Sequence, residues 1–203
     1  MQLIPDQEIT IMNLSHTIAS LAGKAIRPLR AGNSKLLSRR FQATKHPLRV
    51  MSPVFGEGEA LLDAFAGPRA PSPPLVWQDA PAQVKEFVVV CEDPDAPFPS
   101  PFVHWIAYGI PRGSSELPLD VAKSERPEGV PGLKQGLNGA HEPGFTGAAP
   151  PAGHGVHHYH FQVFGLDAPL HLRKERPERD DILEAMRGHV IAFGETVATY
   201  EKE

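Results

Sequence analysis

Val88-Val89-Val90-Cys91-Glu92-Asp93-Pro94-Asp95-Ala96-Pro97 is the stretch on which the fold turns. Four consecutive apolar residues fit a strand buried on both faces. The two prolines that follow remove ladder donors and end it. The same pattern repeats on either side. Short apolar runs at 48–55, 75–77, 86–91, 103–110, 159–166 and 192–200 are each bounded by Pro, Gly or Asp clusters, which are turn chemistry. Residues 180–190, with Ile182, Leu183, Met186 and Val190 on one side, form the one good helical pattern in this region. Residues 112–158 are rich in Gly and Pro and read mostly as loop, and a loop that long in a compact domain is usually functional. Many strands and one late helix predict a β-dominated, two-sheet antiparallel sandwich.

Composition agrees. The chain has 203 residues, enough for one domain with a real core. It carries 22 prolines, against roughly 10 expected at about 5% usage, which argues against a helical bundle. No apolar run approaches the length of a membrane span. The single cysteine, Cys91, excludes a disulfide framework and a cysteine-based zinc site, and with no secretory pattern the expected location is cytoplasmic.

Charge and proline both change near His46-Pro47. Residues 1–50 hold eight Lys/Arg against two Asp/Glu, and residues 51–203 hold 12 against 22. We therefore read 1–46 as a basic N-terminal extension and 47–203 as the main domain. Ile11, Leu14, Ile18, Leu21 and Ala25 form one stripe of a helix ending near Arg27, before Pro28. That stripe is expected to dock on the same chain or on a second copy, giving a homodimer. Asp6 and Glu8 precede it, which is wrong for a secretory signal. Scattered basic residues without interleaved aromatics do not make a nucleic-acid surface.

Two constellations carry chemistry. Asp93 and Asp95, two apart in extended chain, face one side and can share a site, although a turn that uses them to bond backbone N–H groups is the plain alternative. Five of ten histidines lie between residues 141 and 160: His141, His154, His157, His158 and His160. In a strand His157, Tyr159, Phe161 and Val163 share one face, and His158, His160, Gln162 and Phe164 the other. His158 and His160 could chelate a metal there. His104, alone in an apolar strand, reads as a packed core histidine. No G-x-S-x-G, H-E-x-x-H, P-loop or dinucleotide fingerprint is present.

D-P-D-A-P at 93–97, V-H-W-I at 103–106 and G-A-A-P-P-A-G-H-G-V-H-H-Y at 147–159 together resemble the phosphatidylethanolamine-binding protein family, also called the Raf-kinase-inhibitor-protein family, in its bacterial branch. P-L-V-W at 74–77 and the helix-then-strand ending at 180–200 are similar too. The resemblance covers about residues 48–203. It implies a two-sheet β-sandwich with a C-terminal helix, to which this chain adds an N-terminal amphipathic helix. It also implies a small pocket for phosphate-like anions and phospholipid head groups, formed here by Asp93, Asp95, Pro97, His104, Gly147, Pro150, Pro151, His157 and Tyr159. Two bare carboxylates repel phosphate. An Asp is therefore expected to fix the tautomer of His104 or His157, leaving imidazole, Tyr159 O–H and loop N–H groups to face the anion. Where the family commonly has H-R-Y, this chain has His157-His158-Tyr159, losing one cation; Ala149 stands where a glycine is common.

The expectation is a soluble, non-enzymatic binding protein for a small anionic or phosphorylated ligand, without cofactor or bound metal. Modulation of a phosphorylated protein partner such as a kinase is a further expectation. Two alternatives are a metal-dependent hydrolase using Asp93, Asp95, His104 and His157, and a kinase or protease inhibitor acting through its surface.

Overall fold

The structure, a computed structural model, describes residues 5–41 and 46–203, with side chains from residue 16 onward. In chain order the elements are α1 (Pro5–Ile26), β1 (His46–Pro47), β2 (Arg49–Met51), β3 (Leu75–Gln78), β4 (Glu86–Asp93), β5 (Phe102–Pro111), β6 (Glu116–Leu117), β7 (Lys134–Gln135), β8 (His157–Leu166), α2 (Arg179–Met186) and β9 (Val190–Tyr200). They form a six-stranded sheet, ordered β1-β9-β8-β4-β5-β7, and a three-stranded sheet, β2-β3-β6.

β4 is buried at all eight positions, as its apolar run predicts. Its neighbours β5 and β8 are antiparallel to it. Phe87, Val89 and Cys91 turn toward the small sheet and pack with Trp77, Trp105, Phe145 and Phe161. Val88 and Val90 turn the other way, under Ile182 and Met186 of α2 and under Leu37. Alternate side chains thus enter two separate cores, so the strand reads as continuously apolar rather than alternating.

Three sequence boundaries shift. The run at 48–55 is a strand only over β2: β1, just before the run, pairs with β9 in the large sheet, and β2 pairs with β3 in the small one. Pro53, which has no N–H to give a ladder, follows immediately. The loop region 112–158 contains two short edge strands, β6 and β7. The late helix ends at Met186, and Gly188 takes φ 78°, so Val190 opens β9 instead of closing the helix.

The chain between α1 and β1 is held in the fold. Leu36 and Leu37 are fully buried. The Leu37 N–H donates to Glu92 Oε2 (2.7 Å) and the Ser38 N–H to Gln162 Oε1 (2.8 Å). Glu92, itself fully buried, also takes Gln162 Nε2–H (2.8 Å) and Arg179 Nε–H (2.5 Å). A buried carboxylate is tolerated when its lone pairs are this well occupied.

The expected stripe of α1 behaves differently. Ile11 and Leu14 lie outside the described side chains, while Ile18 and Leu21 are each 59% exposed. These two do not dock on their own chain. The helix approaches the domain through small residues instead: Gly23 is buried, and a Cβ there would run into the Ala152 carbonyl. Gly153, at φ 75°, meets Ser20 in the same way.

Candidate functional site

Antiparallel pairing brings the end of β4 beside the starts of β5 and β8: Glu92 lies opposite His160, and Asp93 opposite Phe102. The three sequence motifs therefore meet at one end of the large sheet. Asp93, His104, His157 and Tyr159 are all at most 4% exposed there.

Asp93 Oδ2 accepts the His157 Nδ1–H at 2.7 Å. The other ring nitrogen of His157 lies 2.7 Å from His154 Nδ1, and His154 Nε2–H donates to the Ile26 carbonyl at 3.1 Å. Asp93, His157, His154 and the end of α1 form one buried chain. Both ends of that chain are acceptors. Its middle link joins two ring nitrogens, so one of them donates and the other accepts.

His104 donates Nδ1–H to the Thr146 carbonyl at 2.7 Å. Burial pushes its pKa below the usual imidazole range, against the pull of Asp93 and of the Thr146 bond. The ring is therefore neutral near pH 7 and keeps Nε2 as an acceptor. Its edge meets the Tyr159 ring, with centroids 5.0 Å apart. The Tyr159 hydroxyl is buried and has no hydrogen-bond partner among the described residues. Burial, followed by the nearby Asp93, drives its ionisation far upward, so it remains a donor.

The aspartates do not share one site. Asp93 Oδ1 accepts the Asp95 N–H (2.8 Å), a turn that carries Asp95 outward. The two-residue rule holds for extended chain, and the chain bends here. Asp95 Oδ2 accepts both the backbone N–H (2.9 Å) and Nδ1–H (2.7 Å) of His158, and Oδ1 accepts Arg30 Nη1–H. Burial alone would raise the Asp95 pKa; the His158 and Arg30 contacts outweigh it and hold the carboxyl below its ordinary range. With histidine at 158, the guanidinium at this rim comes from Arg30, 128 positions away in sequence.

The remaining expected residues frame the site. Pro97 is half-buried and follows Ala96, whose carbonyl takes the Ala31 N–H at 3.2 Å. Pro151 closes the turn that places His154, accepting its N–H at 3.0 Å. Pro150 is buried, and Gly147 abuts the Phe65 carbonyl where no Cβ fits. The loop amides expected to serve as donors are in part already used. Gly147 N–H bonds Gly67, Ala148 N–H bonds Phe65 and Gly153 N–H bonds Lys202. His158 faces Asp95, and His160 Nδ1 lies 3.3 Å from Glu195 Oε2. Among the described residues no three His, Cys, Asp or Glu are arranged to hold a metal.

Residues 51–201 match the model of the phosphatidylethanolamine-binding protein family. The chain belongs to that family. The UPF0098 protein PH1269 of Pyrococcus horikoshii is 39% identical over 160 residues, covering 78% of this chain and 79% of that protein. The crystal structure of Escherichia coli YbcL, titled a new member of the mammalian family, superposes with a TM-score of 0.72 at 30% identity, over 77% of this chain and 99% of that one. A homologue from Chlamydia trachomatis superposes at 0.67 and 31% identity. These solved relatives are matched almost end to end by about three-quarters of this phosphatidylethanolamine-binding family chain. The sandwich, the late helix and the order of motifs are thus as the sequence implies. No described helix is long and apolar enough to cross a membrane.

Sequence reasoning missed His154 and Arg30. His154 was visible within the histidine cluster, but its three-residue spacing from His157 signals nothing until the Pro151 turn folds. Arg30 carried no signal, because its partner is 65 residues away.

Proposed function

We propose that this family member is a non-enzymatic binding protein whose pocket takes a small phosphate-like anion, free or as a phosphomonoester head group. The observation that carries this is the unpartnered, buried Tyr159 hydroxyl beside His104. Native interiors rarely leave a donor unmet, and an unmet donor costs about 1–3 kcal/mol. A ligand oxygen would recover that cost. Neutral His104 offers an acceptor beside this donor, which suits an oxygen that still carries a proton, as in hydrogen phosphate. Asp93 is spent on His157 and so presents no bare charge to repel the anion. Modulation of a phosphorylated protein partner would use the same chemistry.

The test is titration of isotope-labelled chain with inorganic phosphate and O-phosphorylethanolamine to tens of millimolar. Amides at 93–97 and 147–159 are expected to shift. Unmoved spectra, both in this chain and in Gly23→Leu, where α1 is kept from docking, overturn the proposal.

A further inference from the structure

The family match begins at residue 51, and α1 with the segment that follows it to residue 41 lies before that point. This segment lies on the candidate pocket. Ala31 N–H donates to the Ala96 carbonyl (3.2 Å) and Gly32 N–H to the Pro94 carbonyl (2.9 Å), both within D-P-D-A-P. Arg27 and Arg30 donate to the His154 carbonyl (3.3 and 3.4 Å), and Arg30 also to the Val156 carbonyl (3.2 Å). The strap runs from the end of α1 along the rim of the site. It is anchored beyond the rim by Leu36 and Leu37.

The contact inside the rim is the informative one. The last carbonyls of a helix lack helical partners and carry its partial negative charge. Ile26 presents such a carbonyl to His154 Nε2–H, the outward end of the Asp93–His157–His154 chain. An electronegative oxygen already sits where an anionic ligand would take that proton. The same carbonyl accepts the Leu29 N–H at 2.8 Å, which fixes its direction.

We propose that residues 16–32 are a built-in lid whose helix end acts as a pseudo-ligand: the Ile26 carbonyl and the anion compete for His154, so the pocket fills only when α1 lifts. This rests on the anion-pocket proposal above. Docking is shallow enough to reverse. Among the described residues it rests on Ser20 and Gly23, on polar contacts at the rim and on the Arg30–Asp95 ion pair, while Ile18 and Leu21 stay exposed. The anchor at 36–38 remains in place and limits the movement to the segment before it.

Gly23→Leu in the full chain isolates the lid. Leu is a better helix former than Gly, but its side chain cannot approach Ala152. Ser20→Leu, which sets a larger side chain against Gly153 without altering the charge at the rim, is the second variant. A lid shut in about nine molecules of ten weakens apparent affinity about tenfold. Inorganic phosphate, followed by isothermal titration, is therefore expected to bind both variants at least about tenfold more tightly than the unaltered chain. By reciprocity, saturating phosphate should speed hydrogen exchange at the Ala31 and Gly32 amides of the unaltered chain. Equal affinity overturns the lid and leaves the pocket standing. Weaker binding by the variants also overturns it, because the strap would then belong to the bound state. Absence of binding in all three chains overturns the pocket itself, and the lid with it.

Discussion

Replacing Tyr159 by Phe sets stability against binding at one atom. The hydroxyl lies in the interior without a partner, and an unmet buried polar group costs about 1–3 kcal/mol. Phe keeps the ring, its edge-to-face contact with His104 and its place in the inter-sheet core, so no cavity forms. Without ligand, the variant is expected to be more stable by about 1–3 kcal/mol. For a chain of this size each kcal/mol is about 2–4 °C in Tm, so the rise is measurable by calorimetry or circular dichroism. In phosphate that advantage shrinks by about 1.3–2.3 kcal/mol. A hydrogen bond to a charged oxygen contributes about 1.5–3 kcal/mol, so losing it weakens phosphate binding roughly ten- to a hundredfold. Phosphate at about 100 times the dissociation constant of the unaltered chain adds about 2.7 kcal/mol to that chain and about 0.4–1.4 kcal/mol to the variant. A Tyr159→Phe chain that is less stable by 1 kcal/mol or more without ligand would refute the orphaned-donor argument. Undiminished phosphate stabilisation would remove Tyr159 from the site.

Arg179→Met leaves the Glu92 carboxylate buried without its guanidinium; breaking such a pair costs about 3–5 kcal/mol, read as a lower urea midpoint. Leu37→Ala empties a fully buried position in the second core and is expected to cost about 2–5 kcal/mol, with faster exchange at Ser38. The Asp95 carboxyl is held below its ordinary value in the folded chain, so its contribution is complete above about pH 3.9 and is lost as pH falls through the lowered value. Exchange at Ala31 and Gly32, corrected for the intrinsic pH dependence, should accelerate in that acid range and not above it. Cys91 is buried, and burial, helped by Asp93 and Glu92, pushes its thiol pKa well up. Iodoacetamide should label it in urea and leave the native chain unmodified, as mass spectrometry would show.

What could be read from sequence divides along physical lines. The four apolar residues at 88–91 specified a strand with two buried faces because that demand is local. D-P-D-A-P marked its end because proline removes donors wherever it stands. Tyr159 and His157 were assigned to one face by the two-residue period of a strand, and the structure keeps them there. The same rule failed for Asp93 and Asp95, since it assumes extended chain and the Asp93 side chain turns the backbone at Asp95. The helix stripe failed for a related reason. Periodicity shows that residues 18 and 21 share a face with residue 25, but not that this face meets protein.

By itself, then, the sequence determined the sandwich, the family and most of the residues that gather at one end of the large sheet, because period, turn chemistry and motif order are properties of neighbouring positions. Only the tertiary structure decided which histidine Asp93 holds, that His154 extends the chain, and that Arg30 and the Ile26 carbonyl close it. Apart from the His154–His157 contact, which the Pro151 turn makes, these join residues 64 to 128 positions apart, and a contact of that kind comes into being when β4, β8 and the strap pack together.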